Sequence, residues 1–335
     1  MDKYQRIIDI LKTCKRVLVT THVRPDGDAL GSSAAIVLGM RKLGIESEVL
    51  LLSHLPSKYA FLFNDFSVPF FDVEKSWPAD FDLNRYDALL VVDTGTWSQL
   101  PGLKERIEPW PKPKLVVDHH LTQENWADAK LVVTEAAAAC EIVAELLQQW
   151  GIAIDSSIAT ALYIGIASDT GWFQFSNTRP FTMRLAATLM EAGVNTDQLY
   201  QHLYQNERSQ RVLLQTRAMQ SLELLAGGKL AVMTVRKEDF TQTGAHVPDT
   251  ENLINIPLQI RTVEVSLLFV EPPDAGPIRV SLRSKGGVDV ARFAEQFGGG
   301  GHARAAGLKL DPPLEIAKKR VLEKAMAINL SDTSS

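Results

Sequence analysis

Seven residues near the start of the chain, His22-Val23-Arg24-Pro25-Asp26-Gly27-Asp28, put an imidazole and two carboxylates on a stretch that Pro25 stiffens and Gly27 lets turn sharply. Taken singly, Asp28 also reads as the N-cap of a helix over 29–43. Comparable groups recur at Val91-Val92-Asp93, at Val116-Val117-Asp118-His119-His120 and at Ser168-Asp169-Thr170. Together His22, Asp26, Asp28, Asp93, His119 and Asp169 suffice to hold two metal ions. Carboxylates with some imidazole suit manganese or magnesium, and the lack of cysteine ligands argues against a structural zinc site. Two such ions about 3.5 to 4 Å apart lower the pKa of a shared water and hold the attacking and leaving oxygens of a phosphoryl centre. One carboxylate must then bridge them. Asp93 is the choice, because the end of a central strand can face both sides of the site.

The elements that position these groups follow from the apolar pattern. Leu115, Val116 and Val117 run without alternation, as in a strand buried on both faces of a parallel sheet, where ligands bind beyond the carboxyl ends. Strands are expected at 16–20, 45–52, 87–93 and 114–118, and helices at 2–13, 29–43, 136–150 and 156–167, the last capped by Asp155. Between 53 and 86 the pattern is mixed. The aromatic residues there, and Trp172, Phe173 and Phe175, have the spacing of packing residues. A helical stretch over 177–225 leads to a second α/β unit with strands at 229–235, 263–270 and 278–283, a hairpin connection at 272–276, and helices at 288–297 and 314–329. The expected architecture is α/β: a parallel-sheet domain over 1–185, a helical linker over 186–225, a smaller α/β domain over 226–330 and a polar tail over 331–335. The active site is expected in the cleft between the domains.

The second half carries one further signal. Gly298-Gly299-Gly300-Gly301-His302 offers bare backbone for close approach to an anion, and Arg283, Lys285 and Arg304 add cations for charge-assisted hydrogen bonds. His54, His202 and His246 stand alone and read as surface or packing residues.

Composition narrows the class. The 335 residues are 45% hydrophobic and 22% charged, and a net charge of -5 gives no global attraction for long nucleic acid. No signal peptide or membrane-length apolar run is evident, so no membrane partner is expected and the expected compartment is the cytoplasm. Cys14 and Cys140 have neither ligand nor redox spacing and are expected to be free, buried thiols.

As an ordered set, His22-x-Arg24-Pro25-Asp26-x-Asp28, Val91-Val92-Asp93, Asp118-His119-His120 and Ser168-Asp169-Thr170 resemble the four motifs of the DHH phosphoesterases. Ser281-Leu282-Arg283-Ser284 with the Gly298–His302 run is similar to the C-terminal domain associated with that family. The chain looks most like the stand-alone members that hydrolyse oligoribonucleotides of 2–5 nucleotides and dephosphorylate 3'-phosphoadenosine 5'-phosphate (pAp). The resemblance implies two divalent ions, manganese first and magnesium or cobalt as alternatives. His22, Asp26 and Asp93 would hold one ion, and Asp28, Asp93, His119 and Asp169 the other. Asp118 would orient the site and His120 would touch the scissile phosphate, as the catalytic pair. Arg283, Ser284, Gly299, Gly300, Gly301 and His302 would bind substrate, with Arg304 added here from its charge and position. The implied partners are short RNA or pAp, not a long duplex, and a homodimer is left open.

Relatives with the same metal motifs supply the alternatives. Soluble phosphodiesterases acting on cyclic di-AMP or its linear product pApA would carry these residues. The single-strand DNA exonuclease branch is longer, and the inorganic pyrophosphatases lack the Gly-Gly-Gly-His run. A non-catalytic nucleotide-binding regulator is the alternative from another class, and the intact ligand positions argue against it.

Overall fold

The structure is a computed structural model and describes residues 3–73, 77, 81–311 and 313–326. It divides into two compact units, Met1–Gln205 and Asn206–Ser335.

In the first unit α1 (Lys3–Leu11) leads to β1 (Arg16–Thr20), and α2 (Gly27–Lys42) crosses over to β2 (Glu46–Leu51). A single-turn α3 (Phe61–Asn64) precedes β3 (Phe70–Asp72), and β4 (Ala88–Val92), a single-turn α4 (Lys104–Ile107), β5 (Lys114–Asp118) and β6 (Ala129–Val132) follow. All six strands are parallel, in the order β3-β2-β1-β4-β5-β6. The unbroken apolar strands have a direct cause, since alternate residues face two different cores. Val17, Val19, Leu90, Val92, Leu115 and Val117 pack under the helices, while Leu18, Leu89, Val91 and Val116 pack with Leu100, Leu103, Ile107 and Trp110 on the other face. At about 25 cal/mol per Å² of apolar surface, burial on both faces makes these strands the rigid base of the unit.

The helical face carries α5 (Ala139–Gln149), α6 (Ser156–Asp169) and α7 (Pro180–Glu191), followed by α8 (Thr196–Tyr204). Asp155 caps α6 by accepting from the Ile158 amide at 3.0 Å. α2 and α6 meet at backbone distance. A Cβ on Gly31 would lie 2.3 Å from the Ala161 carbonyl, and one on Gly165 would lie 2.2 Å from Cys140 Sγ and 2.8 Å from Asp28 Oδ1.

The second unit opens on α9 (Ser209–Gln220) and contains β7 (Glu223–Leu225), β8 (Leu230–Val235), α10 (Lys237–Thr243), β9 (Val265–Val270), β10 (Ile278–Ser284), α11 (Val290–Glu295), β11 (Gly300–His302), β12 (Ala305–Leu310) and α12 (Leu314–Ala325). Its sheet has the order β11-β12-β10-β9-β8-β7, antiparallel except between β8 and β9. α11 and α12 cover one face, and α9 and α10 cover the other.

Three expectations need correction. Asp26, not Asp28, caps α2, accepting from the amides of Asp28 at 3.0 Å and Ala29 at 3.1 Å, because the helix begins two residues earlier than its apolar pattern suggests. The edge strands β3 and β6 escaped the pattern because they are short and half-buried. The helical stretch over 186–225 does not form one connector. Leu189 and Leu199 pack into the core of the first unit, whereas Leu214 and Ala218 pack into the second. The closing part of the helix expected over 314–329 lies partly outside the described residues.

Candidate metal centre

The strand order reverses direction at β1, which runs out to β2 and β3 on one side and to β4 on the other. The carboxyl edge beside such a switch point is open for ligands. His22 follows β1, Asp93 follows β4, and His119 and His120 follow β5. Asp93 takes a left-handed backbone (φ 62), which Asp tolerates better than most residues, and its amide still donates to the Val117 carbonyl at 2.9 Å. The chain therefore turns sharply at the last rung of the ladder and leaves the carboxylate, 2% exposed, facing both neighbours.

The groups converge. Asp93 Oδ2 lies 3.4 Å from Nε2 of His22, and Asp93 Oδ1 lies 3.4 Å from Nε2 of His119. Asp26 Oδ1 is 3.9 Å from His22 Nε2, and His119 Nε2 is 3.2 Å from Asp169 and 3.8 Å from Asp28. Among the described residues these form the triads His22–Asp26–Asp93, Asp28–His119–Asp169 and Asp93–His119–His120, each with ligand atoms within 4.8 Å of one another.

The surrounding hydrogen bonds aim both imidazoles. His22 Nδ1 faces the Val23 carbonyl at 3.0 Å and His119 Nδ1 faces that of Ala136 at 3.2 Å. A carbonyl can only accept, so each Nδ1 carries a proton and each Nε2, once it gives up its own proton, presents a lone pair to the cluster. Asp28 is fully buried and accepts from the first amides of α5, Ala139 at 2.5 Å and Cys140 at 2.9 Å. Those helix-start amides offset part of its charge. The thiols of Cys14 and Cys140 are free and buried.

Without a cation the cluster binds protons instead. Burial raises Asp28 well above the usual carboxylate range, and Asp93 and Asp169 add to the effect. Burial again, then Asp93 and Asp26, lift Asp169 to about 6. For His22 and His119 burial works downwards, but the Asp93 carboxylate and its neighbours outweigh it and carry them to about 9 and about 10. Burial would raise Asp93 too, yet the two imidazoles hold it below its usual range. Buried Asp93 Oδ1 and His119 Nε2 make no well-formed hydrogen bond. Buried polar atoms without a well-formed partner, in an oxygen-rich set with two imidazoles, fit a divalent cation of manganese or magnesium type.

Asp118 has a different task. It is fully buried, and its Oδ1 accepts from the amides of His119 at 2.8 Å and His120 at 3.2 Å and from His120 Nδ1 at 2.8 Å. Its Oδ2 accepts from Gln123 Nε2, a partner that sequence reasoning missed because a lone glutamine after a histidine pair carries no pattern. The bond to Asp118 leads the causes that raise the pKa of His120, whose side chain is half exposed. His22, Asp26, Asp93, Asp169 and His120 line a cavity of about 460 Å³, with Thr94, Thr96, Ser98, Gln99 and Thr122 completing its wall.

The second unit groups its own candidates. Arg283 of β10 pairs across β12 with Ala305, which pairs with His302 of β11, so Arg283 and His302 share one face of the sheet. In the adjoining row Ser281, Gly307 and Gly300 share that face and leave a bare floor beside the two side chains. The glycine run enters strand β11, and two of its members serve that pairing. A Cβ on Gly299 would meet the Gly307 carbonyl at 2.3 Å, and one on Gly301 (φ 146) would meet that of Ala305 at 2.4 Å. At Gly300 nothing lies within 4 Å. Ser284 is buried with its hydroxyl donating to the Val288 carbonyl at 2.7 Å, and the Arg304 guanidinium lies over Gly286.

Residues 16–166 match the N-terminal domain model of the DHH family, and residues 227–328 match the DHHA1 domain. A protein of Thermus thermophilus, described as a bifunctional oligoribonuclease and PAP phosphatase NrnA, is 30% identical over 96% of this chain and 93% of its own. The chain belongs to the DHH family. DHH-type structures share its fold. An exopolyphosphatase-related protein from Bacteroides fragilis superposes with a TM-score of 0.79 at 22% identity, over 98% of this chain and 96% of that one. Exonuclease RecJ bound to manganese gives 0.56 at 16%, over 97% and 94%. Among the described residues of this DHH protein no helix is long and apolar enough to cross a membrane.

Proposed function

We propose that this chain is a two-metal phosphoesterase that hydrolyses short oligoribonucleotides to mononucleotides and removes the 3'-phosphate of pAp, in the cytoplasm. The observation that carries the reading is Asp93, whose two oxygens each lie 3.4 Å from Nε2 of a different imidazole. Nearly full-length similarity to a relative described as an oligoribonuclease and PAP phosphatase supports the substrate class.

His22, Asp26 and Asp93 would hold one ion, and Asp28, Asp93, His119 and Asp169 the other. When bound, the ions, manganese by preference, activate water and neutralise charge at phosphorus. The remaining work falls to the chain. Asp118 holds His120 through Nδ1 at 2.8 Å and keeps it protonated to higher pH, so that its other nitrogen can donate to a phosphate oxygen in the cavity. Arg283, His302 and the Gly300 backbone, with Arg304 nearby in sequence, are the proposed substrate-holding groups. Ser284, through its bond to the Val288 carbonyl, and Gly299 and Gly301, through their close approach to β12, would act by shaping the strands that carry those groups.

Initial rates on RNA of two to five nucleotides, long RNA, pAp, pApA, cyclic di-AMP and pyrophosphate, with manganese, magnesium or cobalt added to metal-stripped protein, test this. Fast turnover of short RNA and pAp is the expected result. Exclusive hydrolysis of pyrophosphate, or long RNA degraded as fast as dinucleotides, would overturn it.

A further inference from the structure

Four successive alanines carry an unusual share of the work around Asp28 and His119. The Ala136 carbonyl orients the His119 ring, and the Ala139 and Cys140 amides hold the Asp28 carboxylate. An alanine side chain can anchor none of this by hydrogen bonding, so the anchor must come from elsewhere.

It comes from two sides. Glu141 is only 1% exposed, a costly place for a carboxylate unless fully partnered. It accepts from the Ala137 amide at 3.0 Å, from Arg179 Nη2 at 2.6 Å and from the Thr182 hydroxyl. Asn177 Nδ2 donates both its protons, one to the Ala137 carbonyl and one to the Asp169 carbonyl, each at 3.1 Å. One amide thus ties the segment that aims His119 and Asp28 to the helix end that bears Asp169. His22 and Asp26 are held separately, by the Val23 carbonyl and the first turn of α2.

We propose that Asn177, backed by the Glu141–Arg179–Thr182 network, is a positioning residue that registers Asp28, His119 and Asp169 as one unit and so sets the affinity of one of the two ions. The inference rests on the two-ion reading. Asn177 touches neither ion nor substrate, and its effect is transmitted through two backbone carbonyls.

The test is calorimetric titration of metal-stripped full-length protein with manganese, for wild type, Asn177→Ala and Asn177→Asp. Asn177→Asp keeps the size of the side chain but loses both donors. Asn195→Ala serves as control, because it removes the N-cap of α8, which accepts from Gln198 at 3.0 Å, away from the triad. In both Asn177 variants one ion is expected to bind about 10- to 100-fold more weakly. The other ion should keep its affinity, and at manganese concentrations that fill the wild-type site but not the weakened one the loss should appear in kcat with KM for dinucleotide unchanged. Asn195→Ala should lower the melting temperature and leave both affinities alone. Unchanged affinities in the Asn177 variants, equal weakening of both ions, or the same selective loss in Asn195→Ala would overturn the proposal. Fewer than two ions bound by wild type would instead overturn the two-ion reading, and this inference with it.

Discussion

Asp93 and His119 face each other across 3.4 Å, Oδ1 to Nε2, at the ends of neighbouring strands, and neither buried atom makes a well-formed hydrogen bond. Two strand ends that each leave a polar atom unsatisfied against the other form a gap of the right chemistry for a cation. Asp93→Asn tests the gap directly, because Asn also tolerates the left-handed backbone at this position. Turnover is expected to fall by about a thousandfold or more, and elemental analysis after gel filtration should show loss of bound manganese while circular dichroism stays unchanged.

Metal uptake should release protons. His22 at about 9 and His119 at about 10 are both protonated at neutral pH in the metal-free protein, and each must lose its proton to coordinate. Apparent manganese affinity should therefore rise between pH 6 and 8, by up to about 100-fold per unit for two protons displaced. Titrations in buffers of different ionisation enthalpy would count those protons, and a pH-independent affinity would contradict the assignment.

The stability of the metal-free protein should fall as pH rises, in two windows. The raised histidines contribute stability that is complete below their unfolded value of about 6.5 and is lost as pH climbs through about 9 to 10. Asp169, also raised, ionises in the unfolded chain from about 3.9 but in the folded one only near 6, so it too weakens the fold as pH increases across that interval. Melting temperatures with and without manganese should diverge with increasing pH.

His120→Ala should separate chemistry from metal binding. Its Nδ1 is engaged by Asp118, so the ring is available for substrate, not for structure. A loss of about 10² to 10⁴ in kcat is expected, with manganese stoichiometry intact. Gln123→Ala, which leaves one oxygen of buried Asp118 unpartnered, should give a smaller loss that largely disappears in the His120→Ala background.

Two neighbouring glycines should respond differently. Gly301→Ala forces a Cβ to within 2.4 Å of the Ala305 carbonyl and should lower the melting temperature. Gly300→Ala meets open space and should leave stability intact while raising KM for dinucleotide. Arg283→Ala should also act on KM, by about 10- to 100-fold for a lost charge-assisted contact.

Much of this molecule was legible in its residues because two strong patterns coincide. Strands with apolar residues at every position signal burial on both faces, and acids placed where those runs stop signal the edge where ligands gather. Hence β1, β4 and β5 and the convergence of His22, Asp93 and His119 were readable in advance. What escaped was held by backbone or by register. The Asp28 partners are amides of alanine and cysteine, the His119 partner is an alanine carbonyl, and Gly301 serves a strand that no propensity favours. Such roles leave no mark in residue type, since any residue could supply the same amide or carbonyl.

The close crossing of α2 and α6 limits how this chain can vary. One methyl group added at Gly165 would strike a buried thiol and, 2.8 Å away, an oxygen of Asp28. The helix pair that closes the core is thus also the floor of the reactive cluster. Drift in that helix face would be felt first in turnover, before it was felt in folding, so the ordinary tolerance of a hydrophobic interior for small substitutions does not extend to this part of the core.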